Sequence, residues 1–342
     1  MKIAALGEDA VVAAITRGLP LGGDVRCGAG DDCAIIGGAR DRTWRLLKTD
    51  CVVEGVHFEK KEKTARIGWK ALCRAVSDIA AMGGVPKHAL ITIAVACDAE
   101  MAWLRGLYAG LRKAARRFGV SIVGGETSRS PGPVFISVAL TGEVERARCV
   151  TRSGGRKGDI LFVTGRLGGS LAAKHLDFVP RLAETRWLTE NFRIRAMMDL
   201  SDGLGADLPR LAKASGCGFG ICEENVPRNR GCTVAQALGD GEDFELLFAL
   251  GPSDAERLEV KWRAQFPKLP LTRIGTLTPL RPVPKRKKKK GNARSGPDVP
   301  SVGVGQTSRL SEWDRRPACP DGARVPANPK QKPSTRGFDH FA

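Results

Sequence analysis

The sequence predicts an α/β (α+β) protein of two domains, each a mixed sheet flanked by helices. Three observations carry that prediction. Apolar stretches of strand length alternate with stretches whose apolar residues recur at helical spacing, and the alternation runs through both halves. A chain of 342 residues can bury two cores, and its 42% hydrophobic content is that of an ordinary globular protein. No apolar run approaches the roughly 20 residues that a membrane span needs.

Taken in order, Val11–Ile15 fits a short opening helix, followed by the turn Gly28-Ala29-Gly30-Asp31-Asp32. Glycines let that backbone turn tightly, so both aspartates can face one side. Trp44–Thr49 reads as a strand with Asp50 at its end, and a turn then carries Glu54 and His57. Ala65–Met82 has Ile67, Leu72, Val76 and Ile79 near helical spacing and stops at Gly83-Gly84 and Pro86. Asp78 therefore falls near a helix C-terminus, where the macrodipole disfavours a carboxylate and a bound cation would remove the conflict. Ala89–Ala96 reads as a strand and Ala99–Phe118 as a long helix, with Tyr108, the sole tyrosine, beside its apolar face. Val120–Val123 is a buried strand leading into Gly124-Gly125-Glu126-Thr127-Ser128-Arg129, the composition of a loop holding phosphate and metal. Val134–Leu140 closes the first domain, residues 1–146.

In the second domain, residues 147–280, Ile160–Thr164 is a strand. The glycine-rich run from Gly165 to Ser170 leads into a helix at Leu171–His175, whose N-terminal amides would suit an anion. Met197–Leu200 delivers Asp199 and Asp202 ahead of a helix that ends at Gly216. Phe244–Leu250, Ser253–Phe266 and Leu271–Thr276 supply a strand, a helix and a last strand. Neither a Walker A motif nor Gly-x-Gly-x-x-Gly occurs, so P-loop and Rossmann sites have no support.

The net charge of +18 is unevenly spread: residues 281–342 hold 15 Lys/Arg against 5 Asp/Glu, and 9 of the 20 prolines. Residues 281–336, with the run Lys285–Lys290, read as a basic, Pro-rich, low-complexity insert, and 337–342 as a closing substrate-side segment. The ten cysteines are scattered without a Cys-x-x-Cys pair, and Glu8-Asp9 arrive too early for a signal peptide. The expectation is a reduced, cytoplasmic protein without a membrane segment.

Four acidic clusters on turns and element ends remain: Asp31-Asp32, Asp50 with Glu54, Asp78, and Asp199 with Asp202. Acids favour turns and caps for local reasons, but four such clusters in a basic chain point to hard divalent cations. In these strings, together with Val53-Glu54-Gly55-Val56-His57-Phe58, Gly124-Gly125-Glu126-Thr127-Ser128-Arg129, Thr151-Arg152-Ser153-Gly154 and Gly241-Glu242-Asp243-Phe244-Glu245-Leu246, the chain resembles the thiamine-monophosphate kinase family. That family falls within the superfamily typified by aminoimidazole ribonucleotide synthetase. The resemblance covers about residues 5–280 and the closing Gly337-Phe338-Asp339-His340-Phe341.

The resemblance implies phosphorylation of thiamine monophosphate by ATP with several Mg²⁺ ions, in a homodimer whose N-terminal sheets pair across the two-fold. It implies metal ligation by Asp32, Thr49, Asp50, Asp78, Glu126, Asp199 and Asp202, with no residue acting as a chemical catalyst. It assigns ATP contacts to Tyr108, Gly125, Arg152 and Ser201, and substrate contacts to His57, Glu242 and Phe338. Three departures stand out: Glu126 replaces the family's usual Asp, Asp240 its usual Gly, and the basic insert is foreign to the pattern. The alternatives are another ATP-dependent synthetase of the superfamily, or a nucleic-acid-binding protein using Lys285–Lys290. The second leaves the acidic clusters unexplained.

Overall fold

A computed structural model of the chain describes residue 3 and residues 6–172 and 174–280. The first half contains α1 (Glu8–Ile15), β1 (Val25–Cys27), β2 (Ala34–Ile36), β3 (Thr43–Val53), α2 (Thr64–Ala81), β4 (Val85–Val95), α3 (Met101–Phe118), β5 (Ser121–Arg129) and β6 (Phe135–Glu145). Its sheet has the order β1-β2-β3-β6-β4-β5 and is mixed, because β4 and β5 run parallel while the other pairs are antiparallel. The second half contains β7 (Ile160–Thr164), α4 (Leu182–Asn191), β8 (Ile194–Asp199), α5 (Leu204–Ala214), β9 (Cys217–Ile221), α6 (Val234–Gly239), β10 (Leu246–Leu250), α7 (Pro252–Gln265) and β11 (Leu271–Pro279). Its sheet, β8-β10-β7-β11-β9, is antiparallel throughout.

The second sheet is covered on both faces, which is why β7 and β10 are continuous buried runs. Leu161, Val163 and Leu247 pack with Leu204, Leu208 and Leu211 of α5 on one side. Phe162, Phe248 and Leu250 pack with Leu188 of α4 and Trp262 of α7 on the other. Among the described residues the first sheet is covered on one face only, by α2 and α3. On its other face Leu47, Leu90, Val123 and Phe135 are exposed apolar side chains.

Helix α2 is buried from Ile67 to Ala81, so it reads as apolar all round except for Lys70, Arg74, Ser77 and Asp78. The spacing of these four puts them on one face. Helix α3 lies very close against α2, and glycine makes that possible: a Cβ on Gly68 would stand 2.0 Å from the Leu107 carbonyl oxygen, and one on Gly110 1.9 Å from that of Ala65. The α2 helix is thereby fixed between α3, the first sheet and the second half of the chain.

The two halves share a core. Leu176, Phe178 and Phe244 lie in the cluster built from α2, α3 and the first sheet. The Phe178 ring stacks on Phe244 with centroids 3.8 Å apart, and the Trp69 indole N–H donates to the Phe178 carbonyl at 2.8 Å.

Three local expectations are corrected. Strand β3 does not end at Asp50 but runs on to Val53, because Cys51-Val52-Val53 pair with Ser137-Ile136-Phe135 of β6. Gly124–Arg129 is not a loop after a buried strand; it is strand throughout, paired with Leu90–Val95 and largely exposed at the sheet edge. Gly125 permits that pairing, since a Cβ there would meet the Ile91 carbonyl oxygen at 1.8 Å. Leu171–His175 is not a helix: the described residues from 171 to 177 form turns. Long-range contacts of Lys70 with His175, Arg66 with Asp177 and Phe244 with Phe178 hold that strap open across α2.

Candidate active site

The polar face of α2 connects two charged centres. At its C-terminal end Asp32, Asp78 and Asp199 each bring a carboxylate oxygen within 4.8 Å of the others, and all three residues are buried. The turn between β1 and β2 supplies Asp32, the last turn of α2 supplies Asp78, and the end of β8 supplies Asp199. Asp32 Oδ1 accepts from Arg152 Nη2 at 2.5 Å and Nε at 3.1 Å. Asp78 Oδ1 accepts from Lys48 Nζ at 2.8 Å, and Asp199 Oδ2 from Ser77 Oγ at 2.6 Å. Asp32 Oδ2 is buried with no hydrogen-bond partner among the described residues.

Burial and mutual repulsion show in the acid strengths. Burial, then the charge of Asp32, lifts Asp199 to about 7, and burial drives Asp78 well above the usual carboxylate range despite Lys48. Asp31 rises to about 6 through burial and Asp32, although the Arg152 backbone N–H donates to it at 3.0 Å. Three converging carboxylates, one with an orphaned oxygen and none with a thiol or imidazole between them, form the donor set of a hard divalent cation. The residues fit Mg²⁺.

The second centre lies two turns earlier on α2. Glu242 Oε1 accepts from Arg74 Nη1 at 2.6 Å, Glu242 Oε2 pairs with Lys70 Nζ, and Lys70 Nζ also lies 2.9 Å from His175 Nδ1. Burial opposes ionisation of Glu242, but His175, Arg74 and Lys70 outweigh it and hold the carboxyl down at about 2. Arg74 joins the centres, because Nε and Nη2 also donate to Asp50 at 3.0 and 3.2 Å. Asp50 is held below its ordinary value because Arg74 and Lys48 overcome its burial. Glu242 and Phe244 have φ of 57° and 50°, left-handed values that cost non-glycine residues energy. Asp243 between them holds the loop, accepting from the Gly168 N–H at 3.1 Å and from the Ser170 hydroxyl.

The remaining predicted residues are placed as follows. His57 is buried beside this second centre: its Nδ1 accepts from the Val53 N–H at 3.0 Å and its carbonyl from Lys70 Nζ at 2.7 Å. Asp202 is bound by Arg210, which also donates to Asp207 at 3.0 Å, so it belongs to a neighbouring ion network and not to the three-carboxylate group. The Ser201 carbonyl accepts from the Glu242 N–H at 2.6 Å, tying the β8 turn to the Glu242 loop. Thr49 alternates with Asp50 and faces the open side of the sheet, 3.4 Å from Ser137 Oγ. Gly125 and Glu126 are exposed on edge strand β5, with β4 and β6 between them and β3. Tyr108 packs half-buried against the first core, and Phe338 lies outside the described residues. Sequence reasoning missed Lys48, Lys70, Arg74 and His175. A lysine and an arginine four apart inside an otherwise apolar helix were the available signal for the middle two.

A buried acidic centre joined through one helix to a buried cation-rich cluster, with a mixed sheet in one half and an antiparallel one in the other, is an α/β arrangement of the AIR-synthase type. In agreement, residues 30–144 match the family described as AIR synthase related protein, N-terminal domain. The thiamine-monophosphate kinase of Rhodopirellula baltica is 35% identical over 278 residues, covering 76% of this chain and 85% of that one. That of Bacillus subtilis is 31% identical over 280 residues, covering 73% and 85%. The solved structure described as AaThiL complexed with AMPPCP and TMP superposes with a TM-score of 0.70 at 32% identity, covering 82% of this chain and 93% of that one. The chain belongs to the thiamine-monophosphate kinase family. Among its described residues no helix is long and apolar enough to cross a membrane.

Proposed function

We propose that this protein transfers the γ-phosphoryl group of ATP directly to thiamine monophosphate, giving thiamine diphosphate and ADP. The observation that carries the reading is the convergence of Asp32, Asp78 and Asp199 at one end of the polar face whose other end holds Lys70, Arg74 and Glu242. The AMPPCP and TMP named for the AaThiL structure support both substrates. The acceptor is itself a phosphate monoester, largely dianionic at pH 7, so no base is needed to create a nucleophile. The obstacle is repulsion between polyanions: two unit charges 4 Å apart cost about 4 kcal/mol at an effective dielectric of 20. Bound Mg²⁺ ions would neutralise the polyphosphate and polarise its oxygens. Asp32, Asp78 and Asp199 would hold them, with Asp50 and Asp202 beside. Arg152 would add positive charge at the ATP side, with Ser201 and Gly125 as further contacts and Tyr108 a weaker one. His57, Glu242 and Phe338 are assigned to the thiamine side. His57 binds and does not act as a base.

We further propose a homodimer that joins the first sheets. The uncovered apolar face of that sheet supports it, as does the edge of β3 from Lys48 to Cys51, which lies beyond β2 and before the turn that caps Val53 among the described residues. A second copy would then bring its Glu126 and Gly125 to the Thr49–Asp50 edge, completing the predicted metal set. The reading is tested by coupled ADP release with thiamine monophosphate against thiamine and aminoimidazole ribonucleotide precursors. Only the monophosphate should support turnover, and chirally labelled γ-phosphate should transfer with inversion. Retention, or label trapped on His57, overturns direct transfer.

A further inference from the structure

Lys48 brings an ammonium group into the middle of the acidic centre. Alternation along β3 sends Leu46, Lys48, Asp50 and Val52 toward α2, whereas Leu47 and Thr49 face the open side of the sheet. The Lys48 stem therefore runs inward, and its Nζ meets Asp78 Oδ1 at 2.8 Å with only a tenth of the Asp78 side chain exposed. The other two members of the group have different partners. Asp32 gives one oxygen to Arg152 and leaves the other unpartnered among the described residues, and Asp199 takes a neutral hydroxyl from Ser77. Arg74 is already shared between Asp50 and Glu242. Among the described residues Lys48 is thus the one fixed cation bound to Asp78, and it takes up one of that residue's two carboxylate oxygens.

We propose that Lys48 is a built-in cation of this centre. Its ammonium holds a position that a divalent ion would fill if residue 48 were neutral, so the protein loads one metal ion fewer per chain. An ammonium is a compact point charge, and a divalent ion on the same oxygen would lie close enough to be repelled by it. The remaining oxygen of Asp78 stays available to an ion shared with Asp32 and Asp199. The inference rests on the reading that this centre binds divalent ions.

Mn²⁺ bound per chain, counted by equilibrium dialysis of the full-length protein, separates the two. Wild type should bind Mn²⁺, K48S should bind one ion more, and K48R, which keeps the charge, should match wild type. No binding by wild type overturns the divalent-ion reading and this inference with it. Binding by wild type with an equal number in K48S, or an extra ion in K48R as well, overturns the Lys48 assignment alone. Melting in rising Mn²⁺ gives a second measure if K48S is too unstable to dialyse. Asp78 without its ammonium should make the metal-induced rise in Tm larger than in wild type, and an equal rise also overturns the assignment.

Discussion

Among single residues, Glu242 has the clearest consequence. Its folded carboxyl is depressed from 4.5 to about 2. Its ionisation therefore contributes stability that is fully present above pH 4.5 and lost as pH falls through about 2, on the order of 3 kcal/mol. Glu242→Gln should be less stable than wild type by that order at pH 7, and the gap should close between pH 4.5 and 2 in urea unfolding measured at stepped pH. A gap independent of pH would mean that packing, not charge, is the cause. Glu126→Asp should retain activity with a shifted Mg²⁺ requirement while Glu126→Gln is severely impaired, because Mg²⁺ holds its ligands at roughly 2.0–2.1 Å and needs their charge. Mg²⁺ titrations of the coupled assay check this, and equal activity of all three forms would remove Glu126 from the metal shell. The acids were legible in the sequence because Asp32, Asp78 and Asp199 sit at a turn or an element end, where nothing local required Asp78. Their cationic partners were not. Lys48 on a strand and Lys70 and Arg74 on a helix look like solvated side chains until tertiary packing buries them.

At the scale of elements, α2 is both core and site, and its position depends on Gly68 and Gly110. Gly68→Ala would drive a methyl into the Leu107 carbonyl and push the helices apart. The expected cost is about 1–3 kcal/mol. Displacing Lys70, Arg74 and Asp78 together should also lower kcat by roughly 10²-fold. Arg112→Ala, on the exposed side of α3, should stay within about 0.5 kcal/mol of wild type. Urea unfolding and the coupled assay on both variants check the pair, and a fully active Gly68→Ala would show that the helix face tolerates displacement. Strongly periodic elements such as α2, α3 and α5 were readable from their apolar spacing, and β7 from its unbroken apolar run. The failures share one cause. The glycines before Glu126 looked like a loop because their pairing with β4 is a long-range fact, and Leu171–His175 looked helical because the strap contacts that open it come from α2 and from Phe244.

For the whole molecule, the uncovered face of the first sheet makes oligomeric state a sharp test. Leu90→Arg, at the middle of that face, should sediment as a monomer and lose activity; a stable dimer would place the interface elsewhere. If Glu126 serves the opposite subunit, mixing inactive Glu126→Gln and Asp199→Asn chains should restore about a quarter of wild-type activity, since half the dimers then hold one intact site. No recovery would put both residues in one chain's site. The shared core has a different consequence, in time and not in space. Residues as far along as Phe244 complete the packing around α2, about 100 residues after β6 has been made. At roughly 5–20 residues per second, the first sheet leaves the ribosome roughly 5–20 s before its last core side chains exist. Through that interval the nascent chain presents two unfinished apolar surfaces, one awaiting its own C-terminal half and one awaiting the second copy of the proposed dimer. A cell making this protein must shield both, and slow translation through the second half would lengthen the exposure.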